Sequence, residues 1–156
     1  MTAAAAHAAR QLVWHVRAPS LTAPAWLIPS ERLLFARMCP ADRLEGLRVC
    51  RALSSWGYGS DRSLLVAGLL HDVGKSLAPP SAVWRVALTA LEALVPAGLL
   101  AQLPGPMGTL ARHASAGAKM AAEAGMSQDV VALIAGHHGL AENDRMAALQ
   151  RADGLY

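Results

Sequence analysis

Residues 69–75 read LLHDVGK. An apolar run delivers a histidine and an aspartate side by side, then a glycine and a lysine. Asp61 can cap the helix that carries this run, and Gly74 offers a place for it to end and for the backbone to turn sharply. A helix that buries its apolar face has no ordinary use for two ionisable side chains at its end, because burying them without partners is costly. The meaning of the pair therefore depends on what the rest of the chain brings to it.

At 156 residues the chain has the length of one domain and enough material for a sizeable core. It is 54% hydrophobic and 16% charged, which excludes a disordered chain. Aromatic residues are only 4%, so alanine, leucine and branched aliphatic side chains must build the core, and that composition favours helices. The net charge of +3 comes from scattered arginines, without the clustered basic face that a nucleic-acid duplex requires. Cys39 and Cys50 do not make a disulfide framework and fit a reducing cytosol, so the expected location is cytoplasmic. The N-terminal MTAAAAHAARQLVWHV lacks the basic and continuous apolar regions of a secretory signal. The most membrane-like stretch, residues 83–103, carries Arg85 and Glu92 and breaks at Pro96. A spanning helix needs about 20 mostly uncharged residues, so buried or interfacial helices are expected there and no transmembrane segment.

Punctuation divides the sequence into helix-sized pieces with no strand alternation. A helix is expected over residues 3–17, followed by the proline-spaced linker APSLTAPAWLIP. Ser30 can cap a short helix to about Met38, and the next opens near Asp42 and closes at Gly57. After the helix from Asp61 to Gly74, LAPPS stops the chain and Ser81 restarts it to about Val95. A loop containing LPGPMG precedes three helices over 108–124, 128–138 (capped by Ser127) and 144–155 (capped by Asn143). The expectation is an all-α, compact single-domain helical bundle, with residues 1–28 as an N-terminal helix and linker and 29–156 as the helical domain.

Side chains three and four apart share a helix face, so a candidate ligand can be tested by the stripe it lies on. His137 follows Val130, Leu133 and Ile134 and projects inward, and His138 aligns with Val131 and Ile134. Asp153 continues the stripe of Met146 and Leu149, His113 follows Leu110 and heads a face with Gly117 and Met120, and Glu45 leads Val49, Ala52 and Trp56. A lone inward histidine is more often a hydrogen-bonded core residue. Five helices presenting ionisable groups to one interior is a different case, and a bound metal cluster explains them together. His7 and His15 have no such company and read as ordinary helix or surface residues.

The order of HD in LLHDVGK, His113 in RHASAG, GHHG at 136–139 and Asp153 in LQRADGLY resembles the HD-domain superfamily of metal-dependent phosphohydrolases, over residues 38–156. The resemblance implies an all-α fold and a di-metal centre bridged by the aspartate of the pair. By that analogy His71, Asp72 and Asp153 hold one metal, and Asp72, His113, His137 and His138 surround the second. The family normally opens its ligand set with a histidine four residues before a valine; here RLEGLRV puts Glu45 at that place. A carboxylate there shifts preference toward Mg²⁺ or Mn²⁺, leaving Mn, Mg, Fe, Co and Zn all open, at one or two ions per chain. The Gly-Tyr-Pro element of the HD-GYP cyclic-dinucleotide phosphodiesterases is missing, as is a neighbouring synthetase domain of the alarmone-hydrolase kind, so the chain resembles a stand-alone HD domain.

Two ions about 4 Å apart can clamp a phosphate and activate water, and a bridging carboxylate can reach both. Asp72 and Lys75 are accordingly the catalytic candidates, with Lys75 read either as a point charge on a phosphate oxygen or as a solvated helix-terminal lysine. Arg48 and Arg112 could bind phosphate but read more simply as surface charges. The expected activity is metal-dependent hydrolysis of a small phosphoester, a nucleotide first, with the phosphorylated substrate as the only partner implied. A di-iron oxygenase, for which myo-inositol oxygenase shares the scaffold, and a non-catalytic metal- or nucleotide-binding module are the alternatives.

Overall fold

The computed structural model describes residues 21–78, 95 and 97–156. Among them every regular element is helical. The elements are α1 (Pro29–Arg37), α2 (Pro40–Leu53) passing into a π-helical turn (Ser54–Tyr58), α3 (Arg62–Leu70) and a 3₁₀ turn (Val73–Leu77). They continue with α4 (Ala97–Leu100), α5 (Gly105–Ala111), α6 (His113–Glu123), α7 (Gln128–Gly136) and α8 (Asp144–Asp153). The expected helix over 3–17 and nearly all of that over 81–95 lie outside the described residues.

The centre is α3, which packs against α2, α7, α8 and α1. Leu64, Val66, Ala67, Gly68, Leu69 and Leu70 are all buried, so this helix is apolar around its whole circumference and belongs inside the bundle. Its neighbours present one stripe each: Val49, Ala52 and Leu53 from α2, Val130, Leu133 and Ile134 from α7, Met146, Leu149 and Ala152 from α8. Leu27 joins the same core from just before α1. A small satellite of Ala78, Leu100 and Leu110 lies apart from it. Arg145 at the start of α8 pins three helix starts together, reaching Asp61 at 2.8 Å and Asp129 at 3.1 Å.

The caps at Asp61, Ser127 and Asn143 form as expected, each side chain accepting from the backbone N–H three residues on. Two starts differ. Pro29 and Pro40 occupy the first turns of α1 and α2, where a residue with fixed φ and no N–H fits best, so Ser30 and Asp42 lie inside the helices they were expected to open. The expected helix over 108–124 is two, α5 and α6, broken at Arg112 with φ −95° and ψ 9°. α5 already begins within LPGPMG. The helix carrying the HD pair stops at Leu70 rather than Gly74, and the pair sits in the turn between α3 and the 3₁₀ segment.

Gly74 serves close approach, since its φ is not in the left-handed region. A Cβ at this position would collide with the backbone carbonyl of His113 and crowd the N–H of Gly117. The missing side chain lets the 3₁₀ turn lie directly on α6, which brings Asp72 to His113. Gly74→Ala is therefore expected to lower stability by about 2–3 kcal/mol, because backbone rather than a flexible side chain must move. Urea unfolding measures it; an unchanged midpoint would mean that the turn can lift from α6 without cost.

Among the described residues no helix is long and apolar enough to cross a membrane. Most of the stretch 83–103 lies outside them, and its described end is the short α4 and a bend.

Candidate metal centre

Six of the seven expected ligands come from helix ends or the turns beside them, where the backbone leaves its ladder and side chains can converge. His71 and Asp72 follow α3, His113 opens α6, His137 and His138 follow α7, and Asp153 closes α8. The exception is Glu45, on the second turn of α2. His71, Asp72, His113 and His137 are buried, Asp153 and Glu45 are half-buried, and His138 reaches solvent.

Three of the histidines are oriented by one local device. The Nδ1 of His71 meets the Gly68 carbonyl at 3.0 Å, that of His113 the Leu110 carbonyl at 2.6 Å, and that of His137 the Ile134 carbonyl at 2.7 Å. A carbonyl only accepts, so each Nδ1 carries the proton and, in the neutral ring, each Nε2 lone pair is left free to face the interior. Two of those lone pairs converge, His113 Nε2 lying 3.3 Å from His137 Nε2, and His138 Nε2 stands 3.0 Å from His113 Nε2. Nitrogens that both lack protons repel at this distance unless a cation lies among them.

Asp72 divides its two oxygens between two groups of donors. Its Oδ1 lies 3.3 Å from His113 Nε2 and 4.0 Å from His137 Nε2. Its Oδ2 lies 3.6 Å from His71 Nε2 and accepts a hydrogen bond from Lys75 Nζ. His71 Nε2 in turn is 3.0 Å from Asp153 Oδ1. Neither His71 Nε2 nor Asp72 Oδ1 makes a hydrogen bond of good geometry, although both atoms are buried. Buried carboxylate oxygens and imidazole nitrogens that face one another at such distances without well-formed hydrogen bonds are a donor set that fits divalent cations.

The electrostatics follow from this packing. Burial disfavours charge on Asp72, yet Lys75 and then His71 hold its carboxyl well below the usual range. Burial would also lower His71, but Asp72 and Asp153 outweigh it and push the ring up to about 10. His137 goes the other way, driven down to about 2 by burial and then by His71 and His138, and His138 falls to about 4 through burial and His113. Neutral imidazole is the form that ligates metal. Burial raises Glu45 to about 7, with Lys75 opposing and Asp72 adding to the rise.

One member of the centre is easily missed in the sequence. Asp42 is almost wholly buried, and an oxygen from each of Asp42, Glu45 and Asp72 lies within 4.8 Å of the other two. Its spacing of three from Glu45 puts both carboxylates on one face of α2, a signal masked because an aspartate near a helix start also reads as a cap. Gln150 is a second such residue: its amide donates to the Gly136 and Gly139 carbonyls at 3.1 and 3.0 Å, bracketing the paired histidines. Lys75 is no solvated terminal lysine, since its ammonium is tied to Asp72. Arg112 donates to the Ala101 carbonyl, and Arg48 lies over the Tyr156 ring at 5.6 Å. His7 and His15 lie outside the described residues.

Fold and donor set together define an all-helical domain built around a group of side chains able to hold divalent metal. The family model of the HD domain matches residues 44–155, so the chain belongs to the HD-domain family. No curated protein and no solved structure gives a match.

Proposed function

We propose that the protein is a metal-dependent phosphohydrolase acting on a small phosphoester, a nucleotide in the first instance. The observation that carries this reading is the division of Asp72 between two donor groups, one of three imidazoles and one with His71 and Asp153. Asp72 Oδ1, His113, His137 and His138 would hold one ion; Asp72 Oδ2, His71, Asp153 and Glu45 would hold the other. Divalent ions at such a site supply Lewis-acid stabilisation of phosphoryl oxygens and a bound water acidic enough to react near neutral pH.

The chain's own groups do the rest. The carbonyl-bound Nδ1 atoms fix the imidazoles so that no reorientation is needed when substrate arrives. Gln150 holds the backbone on both sides of His137 and His138. His138, the most exposed of the four, marks the side from which a phosphate can enter. Lys75, still partly open to solvent, can offer its ammonium to a non-bridging phosphate oxygen.

Two measurements test the reading together. Protein purified without chelator and dialysed is expected to retain one to two divalent ions per chain by mass spectrometry. Removing them should lower the melting point, since an ion at about 100 times its Kd contributes roughly 2.7 kcal/mol to the folded state. A panel of nucleotide and sugar phosphoesters with Mn²⁺, Mg²⁺, Co²⁺ and Fe²⁺ should then reveal hydrolysis. No retained ion and no melting shift with chelator would sink the proposal at its base.

A further inference from the structure

The two faces of Asp72 are not equally open to metal. On the Oδ1 side stand the imidazoles of His113, His137 and His138. On the Oδ2 side the Lys75 ammonium already sits on the oxygen, with Glu45 and Asp42 as the next carboxylates to act on it. Those three carboxylates come within 4.8 Å of one another, and Asp42 and Asp72 are almost fully buried. His71 Nε2, fully buried, faces the same half, 3.6 Å from Asp72 Oδ2 and 3.0 Å from Asp153 Oδ1.

We propose that Lys75 is a built-in competitor cation: its ammonium holds the carboxylate half of the centre, so that the imidazole half fills first and a second ion must displace the lysine from Asp72. This rests on the metal-binding reading above and adds an order of filling to it. The pair is local, because Lys75 follows Asp72 by three residues across the 3₁₀ turn, so the ammonium competes as a tethered group at high effective concentration. Asp42 is the further carboxylate beside it, which helps a lysine to remain half-buried here. The two halves also differ in chemistry. Imidazoles suit Zn²⁺, Co²⁺ or Fe²⁺, whereas a pocket rich in carboxylate oxygens suits Mg²⁺ or Mn²⁺. Displacement would leave the ammonium tethered at the rim, free to meet a phosphate oxygen, so that loading of the second site and readiness for substrate become one event.

The protein, stripped of metal, loaded with one equivalent of Zn²⁺ and then titrated with Mn²⁺ in equilibrium dialysis, gives the test. Wild type should bind one ion tightly and a second more weakly. Lys75→Met, which keeps the chain length and removes the charge, should tighten the second ion by about 10- to 100-fold and leave the first unchanged, as loss of one nearby like charge implies. Lys75→Arg should keep the weak second site. An unchanged second affinity in Lys75→Met, with the first ion still bound, overturns the competitor role and leaves the phosphohydrolase reading standing. No ion in wild type overturns both. Should Lys75→Met fail to fold, the wild type itself decides through the ¹⁵Nζ resonance of Lys75. That signal should stay put through the first equivalent of Zn²⁺ and move when Mn²⁺ follows; movement with the first equivalent contradicts the proposal.

Discussion

Asp72→Ala is expected to abolish hydrolysis and to empty both halves of the centre. Every other candidate ligand lies on one side of the site, whereas the two oxygens of Asp72 face both. Its loss removes the carboxylate oxygen that faces the imidazole group and leaves the Lys75 ammonium without its first partner. Loss of a group that merely orients a ligand typically costs 10- to 100-fold in metal affinity, roughly the floor for a ligand shared by two ions. Asp72→Asn separates charge from volume. It keeps the shape but turns an amide donor or a neutral oxygen toward His113, so it should lose metal nearly as completely while unfolding less readily than the alanine variant. Metal content by mass spectrometry and turnover on the best substrate of the panel measure both. Wild-type metal content in either variant would show that the carboxylate does not bridge the two halves.

The sequence shows some of this architecture because the signals are local. Asp61, Ser127 and Asn143 each reach an N–H three residues along the chain, a contact that tertiary structure has little chance to alter. The inward faces of His113 and His137 are legible for the same reason, as both lie on apolar stripes at helical spacing. The break at Arg112 has no such marker. No proline or glycine stands at that residue, and the fold needs the break because α6 must start afresh to aim His113 at Asp72. In the sequence Lys75 fits a solvated or a phosphate-facing role equally well, because its actual partner depends on how the 3₁₀ turn winds after the pair. The Nδ1 bonds to carbonyls three residues back are local too, but periodicity reports faces and not tautomers.

Glu45 is the residue on which the chain departs from the pattern it resembles, and substituting it should change which metal the site prefers. The glutamate stands on the Val49, Ala52 stripe of α2 and faces the carboxylate half, within 4.8 Å of oxygens on Asp42 and Asp72. Burial lifts its carboxyl to about 7, so the metal-free centre can keep it neutral and avoid crowding a further negative charge against Asp72. A cation on the Asp72 Oδ2 side would reverse that balance, drawing out the proton and using the carboxylate as a hard ligand. Glu45→Ala is therefore expected to weaken the carboxylate-side ion by at least about 10- to 100-fold, the cost seen even for groups outside the coordination sphere. Glu45→Gln should fall between, retaining an oxygen but no charge. Glu45→His restores the residue type that the family resemblance leads one to expect and should keep a site while moving preference from Mg²⁺ or Mn²⁺ toward Fe²⁺, Co²⁺ or Zn²⁺. Titrating the four proteins with each metal at one pH measures the whole series. Equal affinities across it would place the glutamate outside the coordination sphere, as a half-buried carboxyl that only packs beside Asp42 and Asp72.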